Sequence, residues 1–299
     1  MVQGVSSVPA GDVSFVLITR NEGRWLRHTL DQLLRRPYQG SEVVILDDGS
    51  TDGSTLFLQG ATSKQVRLIR AGALGVARAR NAAALEASGK TLVFLDAHMN
   101  LHEGWWEPLV ELLARPSVAA AQPCIVGVCP GEAKGYGERF RGPDLTLEWL
   151  PRRSPDPYPI PILCGCCFAI RRDLFLKVGG LDGGMIGWGS EDCELSLRLW
   201  RLGYQIWIDP RVVIGHLFRK KAPYRIDWSV VLHNRLRLAF AHFSAPRIER
   251  IVRALRTLPH FEEAYAQVAH GDVWSFRQWL NQNCLRDDDW FLKCSGQVF

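Results

Sequence analysis

The 299-residue sequence predicts an α/β fold, with a Rossmann-like, mostly parallel central sheet followed by a C-terminal helical extension. Between residues 13 and 95, short β-branched runs, turns rich in Gly, Asp or Asn, and segments with helical periodicity follow one another in repeating order. This order is typical of βαβ units. After residue 227 the periodicity is helical and no strand pattern is found. Because 47% of the residues are apolar, a chain of this length can bury a full core.

The first part of the chain supplies the predicted sheet. Four apolar, β-branched runs are predicted to be strands: 13–19, 42–48, 66–70 and 91–96. Helical periodicity predicts helices over 22–34 and 74–88. Asn21 is expected to cap the first helix, and Gly89 ends the second.

The middle of the chain is less regular. Residues 116–162 are rich in Pro and Gly, and five prolines in 151–161 exclude a regular helix, so we expect a loop here. Regular structure is predicted to resume at 162–172. A helix over 191–202, which Gly203 ends, and a strand over 204–209 follow.

The last part of the chain is predicted to contain three or four helices, separated by Pro246, Pro259 and Gly271. We therefore predict two domains, a catalytic domain over 1–226 and a helical extension over 227–299. The tail arginines, from Arg247 to Arg256, recur at every third position, which is more typical of a solvated helix face than of a binding surface.

Composition and charge exclude several classes of protein. The net charge of +5 suits binding of anionic phosphates better than coating of a nucleic acid. Residues 1–12 lack the features of an export signal, and no apolar run approaches the roughly 18 residues of a membrane span. We therefore expect a cytoplasmic protein without a transmembrane segment, in which the eight cysteines are reduced thiols rather than disulfides or zinc ligands.

Two groups of polar residues follow predicted strands. Asp47 and Asp48 begin the turn after the second strand, where carboxylates can bind a uracil N–H or a ribose hydroxyl. An ordinary turn that caps the next helix explains the same residues. Asp96 and His98 follow the fourth strand, and alternate residues of an extended segment project to one side. The pair can bind Mn²⁺ or Mg²⁺, or the two can be an ordinary strand-end cap and a surface histidine.

Two further groups lie in the second half of the chain. Glu191 and Asp192 begin a helix after a glycine-rich segment, where the helix dipole favours carboxylates whatever their function. One of them can instead receive a proton from an acceptor. His216 is followed by Arg219 and two lysines, a pattern that indicates a metal ligand beside cations that neutralise a leaving diphosphate.

Eight separated motifs over residues 13–235 together resemble the catalytic domain of the polypeptide N-acetylgalactosaminyltransferases and related enzymes of the glycosyltransferase A-type fold. The motifs are VLITRNE, ILDDGSTDGS, VARARNAA, FLDAH, GWWEPL, CGCCFAI, GWGSEDCELSLRLW and GHLFRKKAPY. No single turn or cap explains all eight motifs in this order. The resemblance is therefore specific, and it implies a UDP-sugar donor.

The resemblance also implies roles for individual residues. Those expected at the nucleotide and donor are Thr19, Glu22, Asp47, Asp48, Arg78, Asp96, Trp188, Arg219 and Tyr224. The expected Mn²⁺ ligands are Asp96, His98 and His216. Arg219 and Tyr224 match a loop that closes over the donor diphosphate and excludes water.

This sequence departs from the family in two respects. Glu191-Asp192 stands where the polypeptide transferases have Glu-Asn, and it resembles the WGGED element of inverting galactosyltransferases, in which the aspartate is the general base. The choice between inversion and retention therefore stays open. The family's membrane anchor and its lectin domain with QxW motifs are not found, so we expect a peptide, glycan or small-molecule acceptor with a hydroxyl or thiol.

Two other functions are compatible with a nucleotide-binding sheet. A sugar-phosphate nucleotidyltransferase normally has a Gly-rich, Lys-containing segment after the first strand, and residues 19–25 are poor in both. In a non-catalytic nucleotide- or carbohydrate-binding module, we would expect at least one of the metal ligands to be replaced, whereas the three candidate ligands are all present. P-loop and dinucleotide-binding fingerprints are both missing from the sequence.

Overall fold

The computed structural model describes residues 13–35, 41–60, 65–129, 134–219, 222–297 and 299. The strands are β1 (Val13–Thr19), β2 (Glu42–Asp48), β3 (Val66–Ala71), β4 (Thr91–Asp96), β5 (Met99–Asn100), β6 (Val118–Gly127), β7 (Lys134–Gly135), β8 (Glu138–Phe140), β9 (Leu147–Trp149), β10 (Tyr158–Pro159), β11 (Cys167–Arg171) and β12 (Gln205–His216). The helices are α1 (Arg24–Leu34), α2 (Val76–Glu86), α3 (Glu107–Leu112), α4 (Arg172–Lys177), α5 (Glu191–Arg201), α6 (Trp228–His242), α7 (Ala245–Leu255), α8 (Phe261–Ala269), α9 (Val273–Asn283) and α10 (Asp288–Cys294).

The central sheet has the order β10-β12-β6-β11-β4-β1-β2-β3, with β5 paired to β12 and β7 paired to β6. The long strands run parallel except β11, which is antiparallel to both β4 and β6. This arrangement confirms the predicted α/β fold with a mostly parallel sheet. All the long parallel strands therefore end at the same edge of the sheet.

Successive apolar side chains of the central strands point to opposite faces of the sheet, and helices cover both faces. In β1, Val16 belongs to a core cluster that also includes apolar residues of α2, α5 and α6. Its neighbours Phe15 and Leu17 face the opposite side and belong to the cluster of α1 and α3. Continuous burial on both faces explains why these strands are continuous apolar runs in the sequence.

Two predictions in the first half of the chain were wrong. The segment 118–127, which we expected within an irregular region, is the ten-residue strand β6 in the middle of the sheet. Its alanines and Pro123 have low strand propensity, but burial on both faces overrides propensity. A register shift on β12 follows the pairing of Pro123 with Asp209, where the strand tolerates a residue without an N–H. Asn21 does not cap α1, because its Oδ1 accepts a hydrogen bond from the Thr51 amide.

The second half of the chain also differs in detail. β12 continues to His216, beyond the predicted end at residue 209, although Pro210 lies within it. The described part of the tail has five helices, α6 to α10, instead of three or four. The additional boundary lies between α9 and α10, where no Pro or Gly marks it. There the Asp287 carboxylate accepts a hydrogen bond from the Trp290 amide and caps α10.

The helical tail shares a core with the sheet. Apolar residues of α6 to α10 belong to the same buried cluster as Val16 and Phe168 of the sheet. The division at residues 226 and 227 stays a prediction. In the described ranges, no helix combines the length and the apolar character that crossing a membrane requires.

Candidate metal and nucleotide site

The polar residues predicted from the sequence converge at one edge of the sheet. Asp96 ends β4 and His216 ends β12. These two strands run in the same direction, and β11 and β6 lie between them in the sheet. The short strand β5 pairs antiparallel with the end of β12, so that Met99 lies opposite His216. This pairing brings the imidazole of His216 beside that of His98, although 120 residues separate His216 from Asp96.

Asp96, His98 and His216 form a compact group. The Nε2 atom of His216 lies 3.2 Å from Oδ2 of Asp96, and Nε2 of His98 lies 4.0 Å from the same oxygen. One ligand atom from each residue lies within 4.8 Å of the other two. Within the described residues, this is the only group of three or more His, Cys, Asp or Glu side chains with such geometry. The third imidazole is therefore close enough to share a metal ion.

Helix α1 and the short segment before it orient His98. Oε2 of Glu22 lies 3.1 Å from Nδ1 of His98, so that Nε2 is the nitrogen directed to Asp96. The Thr29 hydroxyl donates to the carbonyl of Ala97 at 3.0 Å, and the Gln32 amide oxygen accepts from the Leu101 amide. A carboxylate behind a ligating imidazole is the usual outer arrangement at metal sites. Glu22 therefore holds His98 by this contact, and nucleotide binding by Glu22 stays a prediction.

The chemistry of the group suits a divalent cation. Burial alone would raise the pKa of Asp96, but the hydrogen bond with His216 and the charge of Arg80 hold that pKa well below its usual range. Asp96 is therefore ionised. Nδ1 of His216 is buried and has no hydrogen-bond partner among the described residues. One carboxylate oxygen with two imidazole nitrogens is a donor set that Mn²⁺ accepts.

Arg80 is the central residue that sequence reasoning missed. It is 2% exposed, and its guanidinium donates to Oδ1 of Asp96 at 2.9 Å and to Oε1 of Glu191 at 3.2 Å. The sequence does contain a signal that Arg80 is buried, because helical spacing places it on the same face of α2 as the apolar Ala83 and Ala84. Arg78, which we predicted at the donor, is exposed and donates to the carbonyl of Gly183 at 2.7 Å. A donor role for Arg78 stays a prediction.

The two carboxylates at the start of α5 lie in different surroundings. Glu191 is buried beside Arg80, and its Oε2 accepts from the Gly189 amide at 3.1 Å. Burial, followed by the charge of Asp192, raises the pKa of Glu191 to about 7. Asp192 is half-buried, and its carboxylate accepts from the amides of Gly165 at 2.9 Å and Cys193 at 2.8 Å. Burial therefore holds Glu191 closer to its protonated form than an ordinary carboxyl group.

Asp47 and Asp48 make the local hydrogen bonds of a structured turn. Asp47 accepts from the Ser50 amide and the Thr55 hydroxyl, both at 2.8 Å. Asp48 accepts from the amides of Leu74 at 2.6 Å and Gly75 at 3.0 Å. These bonds fix the turn and tie it to the start of α2. Nucleotide binding by the remaining lone pairs stays a prediction.

The remaining predicted residues lie around the same edge. The Thr19 hydroxyl is buried and has no hydrogen-bond partner among the described residues. Trp188 is 45% exposed, and the Arg219 guanidinium donates to Glu22. The Tyr224 ring lies 5.5 Å from the Arg20 guanidinium carbon, and burial followed by the charges of Asp96 and Glu22 raises its pKa. The two lysines predicted to follow Arg219, at 220 and 221, lie outside the described residues.

Fold and site together define an α/β protein in which three side chains that could hold a metal ion lie at the carboxyl edge of a mostly parallel sheet. The chain belongs to glycosyl transferase family 2, whose sequence profile matches residues 14–179, more than half of the chain. A second profile, described as the N-terminal domain of galactosyltransferase, matches residues 154–220. The second profile covers Glu191-Asp192, the pair that resembles the element of the inverting galactosyltransferases.

Curated relatives carry the name that the motifs suggest. Polypeptide N-acetylgalactosaminyltransferase 3 of Taeniopygia guttata is 34% identical over 222 residues, which cover 66% of this chain and 36% of that protein. Polypeptide N-acetylgalactosaminyltransferase 6 of Homo sapiens is 30% identical over 264 residues, which cover 77% of this chain and 42% of that protein. The chain thus spans less than half the length of these relatives.

Solved structures confirm the A-type glycosyltransferase fold. A crystal structure of GalNAc-T7 with UDP, GalNAc and Mn²⁺ aligns with a TM-score of 0.76 at 22% identity, over 94% of this chain and 56% of that one. The mannosyltransferase PcManGT from Pyrobaculum calidifontis, in complex with GDP-Man and Mn²⁺, aligns with a TM-score of 0.55 at 20% identity, over 99% of this chain and 90% of that one. Both alignments extend over the helical tail.

Proposed function

We propose that this protein is a metal-dependent glycosyltransferase that transfers a hexose or N-acetylhexosamine from a UDP-sugar to a hydroxyl or thiol. The observation that carries the proposal is the convergence of Asp96, His98 and His216 at the carboxyl edge of the sheet. Membership of glycosyl transferase family 2 supports the reaction class. The UDP and Mn²⁺ bound to the aligned GalNAc-T7 support the donor class and the cofactor.

The three side chains would hold Mn²⁺ or Mg²⁺ through Oδ2 of Asp96 and the Nε2 atoms of His98 and His216. When bound, the ion supplies Lewis-acid stabilisation of the departing diphosphate. Glu22 holds the His98 ring in the required orientation through Nδ1. Arg80 keeps Asp96 ionised by direct contact, so the carboxylate is ready to bind a cation.

The carboxylates of α5 are proposed to serve the acceptor. Glu191 has a pKa of about 7, so it can take or release a proton at neutral pH while Arg80 holds its position. Asp192 lies next to it, and its two backbone hydrogen bonds fix its carboxylate at the start of the helix. If Asp192 is the general base, transfer inverts the anomeric configuration. Retention is expected if Glu191 and the donor phosphates perform the proton transfer.

Residues around the edge are proposed to close the donor site. Arg219, at the end of the described segment after β12, contacts Glu22, and Tyr224 lies next to Arg20. Both side chains belong to the segment after β12 and lie beside residues that follow β1, next to the metal group. A cover made by these residues excludes water, which protects the sugar nucleotide from hydrolysis. Trp188, which is 45% exposed, offers an aromatic surface for a sugar.

A peptide, glycan or small-molecule acceptor is proposed. The names of the relatives, polypeptide transferases, support a peptide. The relatives are more than twice as long as the matched region, so the proposal also includes glycans and small molecules. A cytoplasmic location is also proposed. The buried cysteines Cys124, Cys166, Cys167 and Cys193 form no disulfide, and burial raises the pKa of Cys167, so it stays a neutral thiol. Free thiols are typical of reducing compartments. Fractionation of the source cells, with the chain found in an exported fraction, would overturn this location.

The proposed function is tested with a panel of donors on the purified chain. UDP-GalNAc, UDP-GlcNAc, UDP-glucose, UDP-galactose and GDP-mannose are each added with Mn²⁺, and thermal shift and nucleotide release are measured. We expect at least one UDP-sugar to raise the melting temperature and to release UDP, and EDTA to abolish both effects. NMR of the transferred or hydrolysed sugar then gives its anomeric configuration.

A matched pair of histidine variants serves as the control. His216→Ala removes a proposed ligand, while His102→Ala removes an exposed imidazole a few residues after His98. We expect only His216→Ala to lose the metal-dependent stabilisation. Release of pyrophosphate from UTP and a sugar phosphate would identify a nucleotidyltransferase instead. Binding of UDP-sugars without any release of UDP, whatever acceptor is added, would identify a binding module.

A further inference from the structure

The segment that carries Trp188 has little rigidity of its own. We call residues 182–190 the Gly-rich loop, which contains Gly183, Gly184, Gly187 and Gly189 and leads directly into α5. Gly187 and Gly189 have φ of 55° and 106°, and Ser190 adopts a left-handed φ of 68° immediately before Glu191. Such backbone is favourable only when surrounding contacts hold it. The geometry of Trp188 and Glu191 therefore depends on what packs against the loop.

Asn234 of α6 holds the centre of this loop. Its side chain is 1% exposed, and Nδ2 donates to the carbonyls of Ile186 and Gly189, both at 2.8 Å. Oδ1 accepts from the Ile186 amide at 3.0 Å. One side chain thus bonds the backbone on both sides of Trp188. The planar amide matches these three backbone groups in a way that an aliphatic or acidic side chain cannot.

Arg237, one turn further along α6, holds the beginning of the loop. Its guanidinium donates to both carboxylate oxygens of Asp182, at 2.6 and 2.8 Å, and also pairs with Asp272 at 2.5 Å. A Cβ on Gly184 would lie 1.9 Å from the guanidinium carbon, so glycine is required there for the close approach. This buried, two-pronged ion pair fixes direction as well as distance.

The other side of the loop rests on the nucleotide end of the sheet. The Val76 amide donates to the carbonyl of Gly187 at 2.7 Å, and a Cβ on Gly75 would lie 2.7 Å from the Gly187 nitrogen. The Asp48 carboxylate in turn accepts from the amide of Gly75. The Gly-rich loop is therefore held between the turn after β2 and helix α6. A displacement of α6 would change where Trp188 and Glu191 stand relative to the predicted nucleotide pocket.

We propose that Asn234 and Arg237 are positioning residues for transfer, so that α6 forms part of the catalytic unit. This inference rests on the proposed function, because Trp188 and Glu191 are its proposed donor and acceptor residues. Both positioning residues lie beyond residues 14–179 and 154–220, which the family profiles match. Their hydrogen bonds are to the Gly-rich loop and to Asp272, and none of these bonds involves the metal group.

The test separates nucleotide binding from turnover. Asn234→Asp keeps the shape of the side chain but removes the two N–H donors, and the new carboxylate faces the carbonyls of Ile186 and Gly189. We expect kcat with UDP-GalNAc, or with the donor found in the panel, to fall roughly 10- to 100-fold, as small misplacements of reacting groups do. The Kd of UDP with Mn²⁺ should change by less than about threefold, because the metal group is unaltered.

A control on the same helix accounts for general loss of stability. Leu236→Ala truncates a fully buried side chain of α6 that makes no hydrogen bond to the loop. We expect it to lower the melting temperature while kcat, measured well below that temperature, stays near the wild-type value. Equal kcat values for Asn234→Asp and wild type, or an equal loss of kcat in Leu236→Ala, would overturn the proposal.

A second measurement does not need turnover. Hydrogen exchange followed by mass spectrometry should be faster in the peptide covering 182–190 for Asn234→Asp and for Arg237→Gln, but not selectively faster for Leu236→Ala. Unchanged exchange in that peptide would overturn the positioning role even if no donor were found. If exchange responds as expected and the wild type releases no nucleotide, the proposed function fails and the structural role of Asn234 stands.

Discussion

Two clusters in this protein are built from a carboxylate, an arginine and histidine, and they differ in how fully their polar atoms are satisfied. In the buried network of α5 and α6, Glu194 accepts from Arg198 at 3.0 and 2.6 Å and from Nε2 of His242 at 3.0 Å. Two further N–H groups of Arg198 donate to the carbonyls of Val178 and Gly180. The side chains of Glu194 and His242 have no exposure to solvent.

In the metal group, formed by Asp96, His98 and His216, some polar atoms are exposed or have no hydrogen-bond partner among the described residues. Asp96 keeps about a quarter of its side chain exposed, and the Nε2 atom of His98 lies 4.0 Å from it, beyond a hydrogen bond. Nδ1 of His216 has no partner in the described residues. Groups that satisfy one another only in part have capacity left for a ligand, whereas a cluster whose polar atoms are paired fixes structure. The comparison predicts that mutations in the metal group reduce activity and that mutations in the buried network of α5 and α6 reduce stability.

The largest expected effect is on turnover, in Asp96→Asn. An amide is a poor ligand for a divalent cation in place of a carboxylate, so we expect kcat to fall about 1,000-fold or more, equivalent to about 4 kcal/mol of transition-state stabilisation. UDP binding in Mn²⁺ should weaken as well. Asp144→Asn, in the turn before β9, is the matched control and should keep wild-type kcat. Rates near wild type in Asp96→Asn would refute the metal assignment.

The next effect is on stability, in Glu194→Gln. The substitution leaves Arg198 buried without a negative partner, which we expect to lower the free energy of unfolding by about 3–5 kcal/mol. Denaturant titration measures the change. The control is Glu249→Gln in the exposed pair with Arg253, for which we expect a change within about 0.5 kcal/mol. A variant that loses kcat at full stability would contradict the structural role of Glu194.

The smallest effect is a pH dependence that involves His242. Burial lowers its pKa below 6.5, and the guanidinium of Arg201, which donates to Nδ1 at 3.4 Å, also opposes a second proton. Since the unfolded chain takes up this proton first as the pH falls, the stability from neutral His242 is complete above pH 6.5. It is lost below pH 6.5, as the pH falls toward the lower pKa of the folded state.

We therefore expect the free energy of unfolding of the wild type to decrease more steeply below pH 6.5 than that of His242→Gln. A glutamine amide can still donate to Glu194 but does not titrate. His270→Gln removes an exposed imidazole and should leave the wild-type pH dependence unchanged. Identical pH profiles for the wild type and His242→Gln would contradict the assignment of a neutral, buried His242.

Sequence reasoning was most accurate where the local signal and the tertiary environment agree. The strands at 13–19, 42–48 and 91–96 were predicted with their ends, because fully buried parallel strands are uninterrupted apolar runs. The ten-residue strand β6 was missed since alanine and proline carry no strand signal of their own. Its pairing with β12 and β11 and its burial on both faces stabilise it.

At the site, the sequence identified residue types but could not assign their contacts. Asp96 and His98 were predicted from two-residue spacing, and Glu22 was named from a resemblance, yet its contact with His98 appears only in three dimensions. Arg80 was missed because a buried arginine has a partner that is distant in sequence, and no spacing rule indicates Glu191 from α2. Asn234 was not singled out for the same reason.

By itself, the sequence determined the α/β class, the apolar runs that become strands, and the carboxylates and histidines that follow two of them. Local propensity and alternation are sufficient for these features, because each depends on neighbours within a few residues. The tertiary structure decided that β5 pairs with the end of β12, which brings His216 to His98. It also decided that α6 packs against the Gly-rich loop. Contacts between distant segments depend on the burial of whole faces, and no single stretch of sequence contains that information.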